Sequence, residues 1–145
     1  MNMFLSSKAI IGSLLMVITY GFWFLYVYVL QNDLFYFHPW IDIPFHIGGG
    51  IIIALLMVLI VLFRHSDLEI LTLRHFWFQA LWGTMMIGVV WEYYEYWFKL
   101  NGSAVNVTID TLSDLLNDFI GATIGLAVGY GLVKLFERKH TQVKK

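Results

Sequence analysis

The chain has 145 residues, 59% hydrophobic and only 13% charged, with a formal net charge of −1 at pH 7. A soluble domain of this size carries about 25% charged residues, so the excess apolar surface calls for lipid, and the near-neutral balance excludes a basic nucleic-acid-binding face. Cysteine is absent, which excludes disulfides, thiolate metal ligands and cysteine nucleophiles.

Four segments have the length and apolarity of membrane spans. The first, residues 9–30, has no charge over 22 positions. It is too long for a signal-peptide core and lacks a small-residue cleavage site, so it reads as a retained helix. The second, 43–63, opens with Pro44 and the run Gly48-Gly49-Gly50. The third, 76–98, ends in Trp91-Glu92-Tyr93-Tyr94-Glu95-Tyr96-Trp97, and the fourth is 112–136. At about 1.5 Å per residue each crosses a hydrocarbon core of about 30 Å. The expected fold is all-α: one transmembrane domain over 1–145, polytopic, with four transmembrane helices.

The connections differ in character. Residues 31–42 are aromatic, contain Pro39 and suit the interface. Residues 64–75 are polar, and Ser66-Asp67-Leu68-Glu69 has the capping-box pattern. Residues 99–111 hold the turn signal Asn101-Gly102-Ser103 and a glycosylation-acceptor pattern at Asn106-Val107-Thr108. The tail, 137–145, is basic.

Lysine and arginine set the orientation. With four spans, Lys8, Arg64, Arg74, Lys134, Arg138, Lys139, Lys144 and Lys145 fall on one side and only Lys99 on the other. The positive-inside rule then expects both termini in the cytoplasm, in a plasma (cytoplasmic) membrane. Asp33, Asp42, Glu92, Glu95, Asp110, Asp114 and Asp118 all lie toward the opposite, extracytoplasmic side. Acidic residues contribute little to topology, so this second asymmetry needs a cause of its own.

Depth supplies one. His46 lies 18 residues from Arg64, Glu92 17 from His75 and Asp118 16 from Lys134. Those separations are about 27, 26 and 24 Å along a helix, so three helices carry an ionisable residue at nearly one level, just inside the outer face. Asp42 and His46 are spaced i,i+4, Glu92 and Glu95 i,i+3, and Asp110, Asp114 and Asp118 i,i+4,i+8. Each set lies along one helix face. Turned inward, they make a nest of six carboxylates and one imidazole. So many like charges do not stay ionised together at low dielectric without protons or cations. Hard oxygen donors with one histidine suit a divalent Mg, Mn, Fe or Zn ion. Carboxylates and histidine at these spacings on facing helices are also how four-helix metal sites are built.

Plainer readings stand beside this one. Asp42 precedes Ile43-Pro44 and has the position of an N-cap. Thr111-Leu112-Ser113-Asp114 is a capping-box pattern, and Asp110 suits a helix N-terminus. Asp118 is two turns in, where the dipole fades, and Glu92 and Glu95 sit at a helix C-terminus, where it disfavours anions. His38, His65, His75 and His140 read as boundary residues. Gly121, Gly125 and Gly129 repeat every fourth residue, a smooth face for close helix contact, within the chain or in a homo-oligomer.

The three-part pattern Asp42-x3-His46-x-Gly-Gly, Trp91-Glu92-x2-Glu95-x-Trp97 and Asp110-Thr111-x2-Asp114-x3-Asp118-x2-Gly121 resembles the YjdF-type family of small prokaryotic membrane proteins and, more distantly, the VanZ-like family. The resemblance covers residues 42–125 and implies a polytopic prokaryotic membrane protein, with no established reaction to carry over.

The leading expectation is a metal-dependent membrane hydrolase acting on lipid or lipid-linked substrates. Its metal ligands are drawn from His46, Glu92, Glu95, Asp110, Asp114 and Asp118, with His46 as ligand or acid/base and Asp42 orienting it. No arginine lies near enough in sequence to bind phosphate, which counts against a phosphatase. The alternatives are a cation or proton transporter and a non-enzymatic membrane partner subunit.

Overall fold

A computed structural model describes residues 3–64, 74–98 and 107–143, and among them every regular element is helical. The order is α1 (Met3–Gln31), α2 (Leu34–Phe37), a 3-10 turn (Pro39–Ile41), α3 (Asp42–Arg64), α4 (Arg74–Phe98) and α5 (Val107–Val143). The capping-box pattern at 66–69, the turn signal at 101–103, and Asn106, Lys99, His65, Lys144 and Lys145 lie outside the described residues.

Local chemistry accounts for the boundaries. At the end of α1 the Asn32 side-chain amide donates to the Tyr28 carbonyl oxygen at 2.8 Å, satisfying an acceptor of the last turn. Asp33 then takes a left-handed conformation, φ 52° and ψ 29°, which aspartate tolerates better than most side chains. The 3-10 turn runs straight into α3, because Asp42 is already right-handed helical at φ −62° and ψ −39°. Pro44 falls in the first turn of α3, where a missing N–H costs no helix hydrogen bond. Helix α5 begins at Val107, five residues before the expected start at 112, and runs past 136. The polar ends read as connection and tail have helix-forming spacing and composition; Asp110 suits a first turn, and 137–140 contain good helix formers.

Helices α3 and α5 make the most extensive contact. They run parallel: Ile47 meets Gly121, Ile51 meets Gly125 and Val58 meets Gly129. A Cβ on Gly121 would strike the Ile47 carbonyl, and one on Gly125 would stand 2.7 Å from the Ile51 carbonyl oxygen. Gly50 is fitted the other way, against Ala122 and the Asp118 carbonyl. The expected smooth glycine face therefore forms, and α3 of the same chain packs against it.

Helix α4 lies antiparallel to this pair. Its start packs Phe76 and Ala80 into one cluster with Leu62 and Val133, and at its far end Gly88 faces Asp118. Helix α1 is antiparallel to α3, with Gly12 against Leu59 and the Phe22 and Tyr26 rings against Phe45. The apolar core of Ile11, Ala54, Val58, Leu62, Phe76, Ala80, Ala122, Leu126 and Val133 fills the half of the bundle toward Arg64 and Arg74. The other half holds the ionisable residues.

Three described helical segments are long and apolar enough to cross a membrane: Lys8–Gln31, Pro39–Arg64 and Val107–Leu135. Helix α4 has comparable length at 25 residues, but Gln79, Thr84, Glu92, Glu95 and its tyrosines dilute its apolarity. Outward-facing side chains are large and apolar, with Met16, Val17, Tyr20, Trp23, Phe24 and Tyr28 exposed on α1 alone. Contiguous exposure of this kind marks a surface made for lipid or a partner, not water.

Candidate functional site

His46 is the hub. It sits one turn into α3, and four carboxylates from three helices surround its ring. Nδ1 lies 3.2 Å from Asp118 Oδ1. A carboxylate oxygen accepts, so Nδ1–H donates there. Nε2 lies 3.7 Å from Asp42 Oδ1, 3.8 Å from Asp114 Oδ1 and 4.0 Å from Glu92 Oε1. These three distances exceed a hydrogen bond, so Nε2 faces a small space ringed by acidic oxygens.

Burial separates these groups from ordinary surface acids. His46, Glu92 and Asp118 are each 6% exposed and Asp114 is 2% exposed. Both oxygens of Glu92 and Oδ2 of Asp114 are buried without a hydrogen-bond partner among the described residues. Thr111 approaches Glu92 closely enough to act on it, yet it is not aligned to satisfy either oxygen by strict geometry. A buried polar atom left unsatisfied costs about 1–3 kcal/mol, and more when charged. Three such atoms, on two carboxylates that both approach His46, therefore ask what pairs with them.

The donor atoms form two overlapping groups. One is Asp42, His46 and Asp114; the other is His46, Glu92 and Glu95; within each, one ligand atom per residue lies within 4.8 Å of the others. Each group thus brings carboxylate oxygens to one imidazole, the donor set that a divalent cation takes. Glu95 is held from outside by Trp91, whose Nε1–H donates to Oε1 at 2.8 Å.

The sequence-derived residues now have places. The common depth holds: His46, Glu92 and Asp118 meet. Asp42 lies inside the helix, aimed at His46, and does not have the extended backbone of an N-cap. Asp114 is two turns into α5 and buried, which overturns the capping-box reading of 111–114: the helix starts too early for it. Asp110 is half-buried in the first turn of α5 and belongs to neither three-residue group. His38 is an exposed boundary residue, as expected. The side chains of His75 and His140 lie outside the described residues.

Four contributors escaped the sequence reading. Asn117 is buried at 9% exposure, between Asp114 and Asp118 on the inward face. Thr111 is one turn before Asp114, and Trp91 one turn before Glu95. Their signal was the same i,i+3 or i,i+4 spacing, passed over because they are not ionisable. Tyr26 comes from α1, its ring 5.7 Å from that of Phe45 and within electrostatic range of Glu95 and Asp42. Nothing in the sequence marked it among the eight tyrosines.

A family model described as predicted membrane protein (DUF2238) matches residues 4–135, which includes every residue of the cluster. No curated protein and no solved structure matches the chain.

Proposed function

Because the chain belongs to the DUF2238 family of predicted membrane proteins, we propose that it crosses the bilayer four times and holds a divalent cation in the carboxylate cluster around His46. The observation that carries the cation is the approach of Asp42, Glu92 and Asp114 to one imidazole nitrogen, with both Glu92 oxygens and Asp114 Oδ2 buried and unpartnered among the described residues. The donor set, oxygen with a single histidine, fits Mg, Mn, Fe or Zn. Support for α4 as the fourth span is its antiparallel course between the apolar core and the cluster, the same two levels that α3 and α5 connect.

The reaction class that suits this placement is hydrolysis of a lipid or lipid-linked substrate at the extracytoplasmic interface. The chemistry that such an ion supplies is polarisation of a phosphoryl or carbonyl oxygen and acidification of water. The protein supplies the rest: oxygen donors at fixed depth, His46 as ligand or proton carrier, and an exposed rim of Tyr36, Trp40, Tyr93, Tyr96 and Trp97 at headgroup level. An orientation with both termini in the cytoplasm follows from the lysine and arginine asymmetry. The prokaryotic resemblance to YjdF-type and VanZ-like proteins agrees with this setting but assigns no substrate.

A carrier needs access from both ends, and the packed apolar core closes the other half of the bundle. That observation favours the hydrolase over a cation or proton transporter. The test is add-back of single divalent ions to metal-stripped protein in a bilayer-lipid mixture, with product release followed. Ion-dependent release that His46→Ala abolishes is the expected result. Ion flux into liposomes without product release would replace the hydrolase with the transporter. Labelling of Lys99→Cys from the cytoplasmic side only would reverse the orientation.

A further inference from the structure

We infer that the five carboxylates closest to His46 do two different jobs: Asp118 positions the imidazole, while Asp42, Glu92 and Asp114 are the cation ligands on its Nε2 side, with Glu95 as the outer reserve. This deepens the cation reading and reassigns two residues within it, since sequence spacing had made Asp118 a ligand and Asp42 the orienting group.

The argument is geometric. An imidazole has two nitrogens on opposite edges, and the hydrogen bond made by one fixes what the other can do. At 3.2 Å, Asp118 Oδ1 is the sole carboxylate within hydrogen-bond distance of the ring among the described residues, and it is on Nδ1. Asp42, Glu92 and Asp114 all approach Nε2, at 3.7, 4.0 and 3.8 Å. With the Nδ1 proton held by Asp118, the lone pair of the neutral ring is on Nε2 and points among those three. Metal-bound histidines characteristically donate their other N–H to a carboxylate in this way.

Partner status separates Asp118 from Glu92 and Asp114 in the same sense. Asp118 is absent from the buried atoms that lack a partner, whereas both Glu92 oxygens and Asp114 Oδ2 are among them. Asp118 is also wedged: the Gly88 backbone leaves no room for a Cβ beside its Oδ2, and its own carbonyl abuts Gly50. A carboxylate set this close against the α4 backbone at Gly88 is suited to hold a ring in one orientation. Asp42 and Asp114 instead share a three-residue donor group with His46, and Glu92 shares the other.

The test compares full-length wild type, Asp118→Asn, Asp118→Ala and Asp114→Asn in detergent, with cobalt(II) and cadmium(II) as probe ions. Asp118→Asn, whose side-chain oxygen still accepts from Nδ1–H, is expected to bind cobalt with an unchanged ligand-field spectrum and an affinity lowered about 10–100-fold. Asp114→Asn is expected to change the spectrum, because a donor is lost. In the cadmium form, nitrogen NMR is expected to show coupling from the metal to Nε2. An altered cobalt spectrum in Asp118→Asn, or cadmium coupling to Nδ1, would overturn the assignment. One readout needs no ion: in metal-free protein the Nδ1–H proton of His46 is expected as a downfield, hydrogen-bonded resonance that disappears in Asp118→Ala. If that resonance behaves as expected and wild type binds no ion, the cation reading fails while the positioning role stands. If the resonance persists in Asp118→Ala, the positioning role fails whatever the ion does.

Discussion

Gly121→Ala is the smallest change that should disturb the whole site. The added Cβ would strike the Ile47 carbonyl oxygen and stand 2.9 Å from its carbon and 3.0 Å from its Cα. Ordinary contact begins at about 3.4 Å, so even the most distant of these atoms must retreat by roughly 0.4 Å, and the carbonyl oxygen by more. All three are backbone, so no rotamer change relieves the clash and α3 must move away from α5. Overpacking of this kind costs about 1–3 kcal/mol. The displacement also reaches the site, because Ile47 follows His46 and Gly121 lies one turn after Asp118. The 3.2 Å His46–Asp118 contact has about 0.3 Å to spare before it passes the limit of a hydrogen bond near 3.5 Å. Gly131→Ala is the control: its Cβ meets nothing within 4 Å, and replacing a helical glycine should stabilise by up to about 1 kcal/mol. Equilibrium unfolding in detergent, with cation affinity measured on the same samples, separates the two. Equal stability and affinity for Gly121→Ala and Gly131→Ala would refute the close parallel packing of α3 on α5.

Other changes probe the site and the core separately. Glu92→Gln should raise the stability of metal-free protein by about 1–3 kcal/mol, by easing a buried unpartnered carboxylate. The same variant should lose the ion-induced stabilisation of wild type, about 2.7 kcal/mol at a hundredfold excess over Kd, so its advantage over wild type in metal-free unfolding should be cancelled or reversed when ion is present. Leu126→Ala, at a side chain 1% exposed in the apolar core, should cost about 2–5 kcal/mol and leave the ion specificity of the remaining folded protein unchanged. Trp91→Phe removes the donor to Glu95 on an exposed face and should cost no more than about 1 kcal/mol in stability, with a modest loss of cation affinity by titration.

Much of this arrangement was legible before any coordinates, for a simple reason. In a span, residue number converts to depth, and the basic residues at one end supply the zero of the ruler. That is why His46, Glu92 and Asp118 could be set level from separations alone. The helical period then put Asp42 with His46 and Asp114 with Asp118. What number and period do not encode is which side of a ring each carboxylate approaches, Asp118 at Nδ1 and Asp42 at Nε2. The start of α5 was misplaced because Val107, Thr108 and Ile109 lie beside a turn signal, and local polarity outweighed the i,i+4 run that already pointed to helix. Tyr26 was invisible because its relevance comes from α1 packing on Phe45, a tertiary fact with no local trace.

The central claim is that a cation belongs among the carboxylates around His46, and stoichiometry tests it most directly. Purified wild-type protein, dialysed against trace Mg, Mn, Fe and Zn and analysed by elemental mass spectrometry, is expected to retain stoichiometric divalent ion, and His46→Ala and Asp114→Asn are expected to lose it. Wild type free of bound ion under those conditions, or retention undiminished in both variants, would contradict the account.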